Sequence, residues 1–177
     1  NEIVNFLEKE AQAETDRQEF EKRLFSKHDP RILSILRSST VGIAGAGGLG
    51  SNAAVSLARA GLGTLIIADF DRVEPSDLNR QYYFIEQVGK PKVEALLENL
   101  TRINAYSQYQ IHRIKIKPGN IAAIFGAADI LVEAFDKAEM KQMLVNTWLS
   151  LFPQKPIIVA SGLTGIGKNE KLHTRKV

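Results

Sequence analysis

The stretch that decides the fold of this 177-residue chain is Val41-Gly42-Ile43-Ala44-Gly45-Ala46-Gly47-Gly48-Leu49-Gly50. Its apolar beginning predicts a short buried strand, and residues 49–60, which follow, predict a helix. Between them, Gly45, Gly47 and Gly50 show the spacing of a loop that binds dinucleotide phosphates. In such a loop the first glycine permits the turn, the second lets the backbone approach phosphate, and the third lets helix and strand pack closely. A tight turn without a ligand is the alternative.

Strands and helices alternate along the rest of the chain. The predicted strands are 41–44, 64–68, 109–116, 130–134 and 156–160. The predicted helices that separate them are 49–60, 92–104, 121–125 and 137–151. A further short helix begins at Asp29-Pro30, because Asp caps helix N-termini and Pro fits the first turn. This alternation predicts an α/β fold, Rossmann-like and doubly wound, with a mostly parallel sheet.

The charge pattern divides the chain into two regions. Residues 1–28 are highly charged with scattered apolar positions, and they predict an N-terminal helical arm. In this arm Phe20, Leu24 and Phe25 form an apolar patch that we expect to contact a partner. Residues 29–177 form the Rossmann-like domain, in which the glycine-rich stretch 162–167 is expected to be a flexible crossover. The sequence begins without Met and ends just after a polar stretch, which leaves open whether it is a piece of a longer protein.

Composition excludes several kinds of protein. The chain has no cysteine, which excludes disulfides, a cysteine zinc site and a cysteine nucleophile within it. Its three histidines are far apart and lack metal-ligand spacing, so no zinc is expected. The sequence has no apolar run of membrane-spanning length and no signal-peptide pattern, so we expect a cytoplasmic protein. The net charge of +3, without a dense basic run, suits an anionic ligand and argues against nucleic acid.

Acidic residues follow two predicted strands at places where a nucleotide would lie. Asp69 comes at the end of the second strand, where the ribose-binding acid of this loop type belongs, and Asp71 is two residues later. Asp136 comes at the end of the fourth strand, and an Asp beside a triphosphate is a natural partner for Mg²⁺. The alternatives are a helix cap or a solvated loop charge for Asp69, and a helix cap for Asp136.

The cationic residues that follow the glycine loop help to distinguish a site for NAD or FAD from a site for ATP. The glycine loop alone would suit NAD or FAD and hydride transfer. Arg80 and Lys92, however, could both reach phosphates held on the loop. Several cations suit a triphosphate, whose charge grows during displacement, better than they suit a pyrophosphate bridge. For either residue alone a solvated surface charge is the simpler explanation, but together with Asp136 they favour ATP.

Five segments together resemble one family: Gly45-Ala46-Gly47-Gly48-Leu49-Gly50-Ser51, Ala68-Asp69-Phe70-Asp71, Leu78-Asn79-Arg80-Gln81, Gly89-Lys90-Pro91-Lys92 and Ala134-Phe135-Asp136. From about Arg23 to its end the chain resembles the ThiF/MoeB family, within the superfamily that includes ubiquitin-activating enzymes. The resemblance implies adenylation of the C-terminal glycine of a small ubiquitin-like sulfur carrier protein, of thiamine or molybdopterin type. ATP and Mg²⁺ would be used and pyrophosphate released. Residues 29–177 would then be an ATP-binding adenylation domain.

The same resemblance implies roles for single residues. Asp69 would hold the ribose, Arg80 and Lys92 the phosphates, and Asp136 the Mg²⁺. The other residues that would bind the nucleotide are Gly45, Gly47, Gly48, Gly50, Asp71 and Gln81.

Two departures from the family pattern matter. Ser76-Asp77 stands where the family often has Ser-Asn, and an acid so close to phosphates would repel them unless Mg²⁺ or Arg80 compensates. Many members also carry a zinc site and a reactive cysteine, and this chain has neither. Adenylation itself needs no enzyme nucleophile, because the carrier's carboxylate attacks the α-phosphate.

The N-terminal segment Arg23-Leu24-Phe25-Ser26-Lys27-His28 resembles the family's N-terminal signature, in which two arginines flank a short aromatic stretch. In the family an arginine from this region reaches the ATP of the neighbouring subunit. The resemblance therefore implies a homodimer in which Arg23 or Lys27 contacts the partner's nucleotide. Lys27 keeps the charge of the second arginine but lacks the planar fork that binds phosphate with two hydrogen bonds. Solvated charges on a surface helix are the alternative.

Three other functions remain to be weighed against adenylation. A dinucleotide oxidoreductase and a catalytically silent scaffold of the same fold are both disfavoured by Arg80, Lys92 and Asp136. A relative that adenylates modified tRNA is disfavoured because the chain shows no basic stripe.

Overall fold

The computed structural model of the chain describes residues 12, 16 and 18–160. Its strands are β1 (Thr40–Ala44), β2 (Thr64–Ala68), β3 (Gln108–His112), β4 (Ile130–Glu133) and β5 (Ile157–Val159). Its helices are α1 (Pro30–Ser38), α2 (Gly48–Ala60), α3 (Lys92–Ile103), α4 (Ile121–Phe125) and α5 (Ala138–Leu151). Residues 18–24 are also helical and precede α1.

All five strands are parallel and lie in the order β3-β2-β1-β4-β5. The first strand, β1, pairs with β2 from Thr40↔Thr64 to Ala44↔Ala68, and on its other side with β4. The direction of winding therefore reverses between β1 and β4, which is where ligands bind in open sheets of this kind. The prediction of a Rossmann-like, doubly wound sheet is confirmed.

Side chains of the strands alternate between two hydrophobic cores, one on each face of the sheet. The core that includes residues of α2 and α3 takes the strand residues Val41, Ile43, Leu65, Ile67 and Val132. The core that includes residues of α4 and α5 takes the strand residues Ala44, Ile66, Ala68 and Leu131. Each large side chain buried in this way contributes about 1.5–3 kcal/mol of stability. The central strands are covered on both faces, and this leaves their carboxyl edge as the place for a site.

Most predicted elements agree with the structure to within one residue at each end, and β2 and α4 agree in full. The prediction of a strand over 109–116 was wrong, because β3 ends at His112. His112 pairs with Ala68, the last residue of β2, so the chain beyond it has no neighbouring strand. Residues 113–116 instead turn over the carboxyl edge of the sheet. The predicted crossover at 162–167 and most of residues 1–17 lie outside the described residues.

The N-terminal helical segment packs onto the domain through one aromatic ring. Phe25 is only 4% exposed, so its assignment to an apolar patch open to a partner was wrong. A Cβ atom built on Gly61 would lie 2.9 Å from the Phe25 ring and 3.0 Å from Leu33, which shows how closely the ring fits. Phe20 and Leu24 remain exposed, as the sequence predicts.

The close approach of α2 to the glycine loop generates a testable prediction. A Cβ atom on Gly50 would overlap the carbonyl oxygen of Gly45. Gly45 itself has a φ of +103°, a backbone conformation that favours glycine. We expect Gly50→Ala to lower the free energy of unfolding by about 3 kcal/mol or more, because the clash is with backbone. Urea denaturation measures this change.

Gly47→Ala is the matched control. A Cβ atom at Gly47 meets nothing within 4 Å, and the residue is the N-cap of α2, where alanine costs about 1 kcal/mol. Equal losses of stability in the two variants would contradict the packing role of Gly50.

Candidate nucleotide-binding site

A cavity of about 510 Å³ lies at the carboxyl edge of the sheet where the winding reverses. This volume is within the usual range for small-molecule sites. The predicted site residues that line the cavity are Gly45, Gly47, Gly48, Asp69, Asp71, Arg80, Gln81, Lys92 and Asp136. Gly50 lies behind the loop, in the packing position that its spacing predicts. The structure thus brings together side chains from positions 45 to 136.

Asp69 fixes the shape of the glycine loop. One of its carboxylate oxygens accepts a hydrogen bond from the Ala46 N–H at 2.6 Å, and the other accepts from the Asp71 N–H at 2.8 Å. Each oxygen still has a second lone pair for a ligand hydroxyl. The predicted ribose acid therefore has a structural contact with the loop as well, which the sequence pattern did not indicate.

The N-terminus of α2 faces the cavity without a side-chain cap. Its N-cap residue is Gly47, which has no side chain to satisfy the first N–H groups of the helix. These donors and the positive end of the helix dipole suit a phosphate group.

The segment that carries Arg80 is fastened to α2 and to the loop by three hydrogen bonds. Asn52 Nδ2 donates to the Arg80 carbonyl at 3.0 Å, and the Tyr82 N–H donates to Ser51 Oγ at 3.0 Å. The Tyr83 hydroxyl donates to the Ala46 carbonyl at 2.6 Å, and burial raises the pKa of this hydroxyl, so it stays a donor at neutral pH. Sequence reasoning missed these residues, because no spacing signal links positions about 30 apart.

Arg80 lies across the start of α2. Its Nη1 donates to the Ser76 carbonyl at 2.9 Å and to Asn79 Oδ1 at 3.2 Å. A Cβ atom on Gly48 would lie 3.8 Å from Arg80 Cγ, so the side chain passes directly beside the loop. A guanidinium has five N–H groups, and the donors not used here are available to a ligand.

Lys92 forms a buried ion pair with Asp77. Their charged atoms are 3.3 Å apart and both side chains are less than a tenth exposed. The expected compensating charge for Asp77 was Mg²⁺ or Arg80, and the structure instead places Lys92 there. The Glu74 N–H also donates to Asp77, at 2.9 Å. Asp77 is therefore well compensated before any ligand arrives.

Gln81 donates from Nε2 to the other Asp77 oxygen at 2.6 Å. The opposite amide orientation would place two oxygens at that distance, so the carboxylate fixes the orientation. The side-chain amide oxygen of Gln81, Oε1, is buried without a hydrogen-bond partner among the described residues. An unpaired hydrogen-bond acceptor therefore lies in the cavity wall, next to the residues that are predicted to bind phosphate.

Asp136 lies in the cavity wall between β4 and α5. The helix N-cap position belongs to Lys137 and has no side-chain capping bond, so Asp136 does not act as the cap. Its carboxylate is exposed and makes no hydrogen bond or ion pair with the residues that the structure describes. It is therefore free to meet a ligand or a cation.

Apolar side chains form another part of the wall, and no sequence motif indicated them. They are Leu49, Phe70, Ile114, Ile116, Phe135 and Met140. The sequence predicts a strand over 109–116, which does not place residues 114–116 at a cavity. Because β3 ends at His112 instead, these residues lie in the cavity wall. The Lys115 ammonium lies 5.8 Å from the centre of the Phe70 ring.

The structure places neither Arg23 nor Lys27 among the residues that line the cavity of this chain. Arg23 pairs with Glu19 at 3.5 Å on the exposed side of the helical segment, and Lys27 is exposed.

The family model described as "ThiF family" matches residues 21–174. The chain belongs to the ThiF family. It is 39% identical over 134 residues to the adenylyltransferase and sulfurtransferase uba4 of Aspergillus niger, covering 75% of the chain and 27% of that protein. The corresponding figures for the adenylyltransferase and sulfurtransferase MOCS3 of Aedes aegypti are 35% over 129 residues, 72% and 29%. This ThiF-family chain thus spans less than a third of the length of these curated relatives.

Two solved structures extend the comparison. The E. coli tRNA N6-threonylcarbamoyladenosine dehydratase TcdA, in complex with AMP, superposes with a TM-score of 0.73 at 25% identity, over 78% of this chain and 57% of that one. E. coli MccB with ATP superposes with a TM-score of 0.67 at 29% identity, over 73% and 39%. In the part of this ThiF-family chain that the structure describes, no helix is both long enough and apolar enough to span a membrane.

The crowding of carboxylates predicts a pH dependence of stability. Partial burial raises the pKa of Asp71, the Asp69, Asp136 and Asp77 charges raise it further, and Lys92 opposes them. A raised pKa means that ionised Asp71 destabilises the folded state; the penalty is absent below the ordinary value of 3.8 and complete above the folded value. We expect Asp71→Asn to have a higher unfolding temperature than the wild type at pH 7, with the gain vanishing as the pH falls below that ordinary value.

Calorimetric melts across this pH range measure the effect, and Glu94→Gln, an exposed side chain on α3, controls for the loss of one negative charge. A gain that is constant with pH would show that the ionisation of Asp71 is not its cause.

Proposed function

We propose that the chain catalyses ATP-dependent adenylation of the C-terminal glycine carboxylate of a small ubiquitin-like sulfur carrier protein, of thiamine or molybdopterin type. The observation that carries this proposal is the convergence of the glycine loop, Arg80, Lys92 and Asp136 on one cavity. The names of the relatives support it, since uba4 and MOCS3 are both adenylyltransferases.

The chemistry requires positioning and charge neutralisation rather than a nucleophile of the enzyme. An oxygen of the carrier's carboxylate attacks the α-phosphorus of ATP, and the bond to the α,β-bridging oxygen breaks. The electron pair leaves with pyrophosphate, and the acyl-adenylate remains. Negative charge grows on the leaving group, and the free N–H groups of α2 with the Arg80 guanidinium would stabilise it. Lys92 would exchange part of its contact with Asp77 for phosphate oxygens.

The residues present fit a Mg²⁺ ion that is bound together with the nucleotide. No group of three metal-ligating side chains converges within the described ranges, so a site made by protein ligands alone is not supported. Mg²⁺ in nucleotide sites is instead held by one or two carboxylates with phosphate oxygens and water. The unpaired carboxylate of Asp136 would supply that ligand, and the ion would neutralise phosphate charge.

The first test is the choice of nucleotide and the role of Asp136. We expect titration calorimetry to show binding of Mg²⁺–ATP and no binding of NAD, and pyrophosphate exchange to appear when a candidate carrier protein is added. Asp136→Ala should keep the fold, because the side chain is exposed. It should lower the exchange rate about a hundredfold to a thousandfold, as the loss of one electrostatic stabiliser usually does.

Glu139→Ala, on the exposed first turn of α5, is the control for removing a carboxylate near the site. Tight NAD binding without ATP binding would overturn the adenylation proposal in favour of an oxidoreductase. A wild-type exchange rate in Asp136→Ala would remove this residue from the mechanism. ATP binding without exchange for any carrier would favour a silent scaffold.

We also propose that the chain is a homodimer whose arm delivers Arg23 or Lys27 to the partner's nucleotide. Four apolar side chains on the helical segment and α1 support this proposal, because they form a surface that a second subunit could cover. Phe20, Leu24, Ile32 and Ile35 are 46–65% exposed. Exposed apolar surface of this kind is typical of contacts between proteins.

Subunit mixing tests this proposal. Light scattering should give the mass of a dimer. An arm variant, Arg23→Ala with Lys27→Ala, mixed with Asp136→Ala should recover part of the exchange activity, because one hybrid site receives an intact arm and an intact Asp136. A monomer, or absence of rescue in dimers shown to exchange subunits, would refute the idea.

A further inference from the structure

An ion pair between a fully buried carboxylate and a partly buried ammonium lies behind the cavity wall. Glu133, the last residue of β4, is 0% exposed, and Lys141 on the first turn of α5 places its Nζ 2.8 Å and 3.1 Å from the two Glu133 oxygens. Neither residue lines the cavity, and nothing in their sequence spacing marks them as a pair. The Glu133 carboxylate is taken out of water completely and the Lys141 ammonium largely, and this desolvation opposes their attraction.

The pair connects three separate pieces of backbone. Glu133 accepts the Phe135 N–H at 2.6 Å, and Lys141 also donates to the Ala160 carbonyl at 3.3 Å. The turn after β4, the start of α5 and the end of β5 are therefore held by one carboxylate and one ammonium. Phe135 is the residue directly before Asp136, so this hydrogen bond lies one peptide away from the proposed Mg²⁺ ligand.

Few other hydrogen bonds restrain this turn. The β-ladder ends with the Ala134 N–H, which donates to Ala44, and the helical bonds begin where Met140 and Lys141 donate to Lys137. Between these two points, among the described residues, the Phe135 N–H bond to Glu133 is the one hydrogen bond made by the backbone donors of residues 135 and 136. The geometry of the turn therefore depends on the side chain of Glu133, and that side chain depends on Lys141.

The free energy of folding alone does not explain why the protein has an ion pair at this position. Apolar residues of similar volume usually replace a buried ion pair with no loss of stability, and often with a gain. We propose that Glu133 and Lys141 are positioning residues, which hold the turn so that the Asp136 carboxylate meets the cation bound with the nucleotide. This inference rests on the role of Asp136 in the proposed function.

The main test removes both charges at once. Glu133→Leu combined with Lys141→Met leaves no unpaired charge in the core, so the double variant should fold with a normal circular dichroism spectrum and melt. We expect the Mg²⁺ concentration for half-maximal ATP binding to rise about tenfold, while the affinity for ATP without Mg²⁺ stays unchanged. Hydrogen exchange of the Phe135 amide should accelerate by a factor of ten or more, because its acceptor is lost.

Two single variants keep the test decisive if the double variant fails to fold. Lys141→Arg preserves the charge and hydrogen-bond donors, and it should retain the wild-type Mg²⁺ dependence and the protection of the Phe135 amide. Glu133→Gln keeps an acceptor for Phe135 but loses the charge, and we expect an intermediate shift of about threefold in the Mg²⁺ requirement.

The outcomes separate this inference from the proposed function. If the wild type binds no ATP, the proposed function fails and this inference fails with it. If the wild type binds Mg²⁺–ATP and the folded double variant, or Glu133→Gln in its place, has the wild-type Mg²⁺ dependence, the pair is structural only and the positioning role is refuted.

Discussion

The contact between the backbone of Gly50 and the carbonyl group of Gly45 is the constraint on which the rest of the site depends. Only a residue without a Cβ atom allows α2 to begin so close to the end of β1. That closeness points the uncapped N-terminus of the helix at the carboxyl edge of the sheet. It also brings Ser51 and Asn52 within hydrogen-bond distance of the segment that carries Arg80. One steric requirement thus places both the glycine loop and the segment that carries Arg80.

The parts of the structure that follow from local chemistry could be predicted from the sequence. The glycine spacing, the apolar runs and the Asp69 position each depend on neighbours within a short segment, and together they indicated a doubly wound sheet and the location of its ligand site. The end of β3 could not be predicted in this way. Its length depends on the last residue of β2, and the mixed apolar and polar residues of 109–116 do not show where the neighbouring strand stops.

The buried charges were beyond sequence reasoning for a related physical reason. Asp77 and Lys92 are 15 positions apart, and neither helical nor strand periodicity links them. They pair because the segments that carry them fold over the same edge of the sheet. Phe25 looked like an exposed residue of a charged arm, because the glycine that receives its ring is 36 positions away. Glu133 and Lys141 are eight positions apart, but the separation carries no signal across a strand, a turn and a helix. Pairings that tertiary structure creates are the portion of the site that a single sequence does not reveal.

The two hydrogen bonds of Asp69 link the proposed ribose contact to the shape of the glycine loop. A carboxylate that recognised only the sugar could be exchanged to alter the preference for ribose, with little effect elsewhere. Here the same two oxygens hold the Ala46 and Asp71 amides, so a longer or uncharged side chain would release the phosphate loop at the same time. Under the proposed function, one substitution at Asp69 would therefore change both the ribose contact and the loop that faces the phosphates. Phe70, Ile114 and Phe135 line the same cavity with apolar side chains, so substitutions there would leave the two Asp69 hydrogen bonds in place.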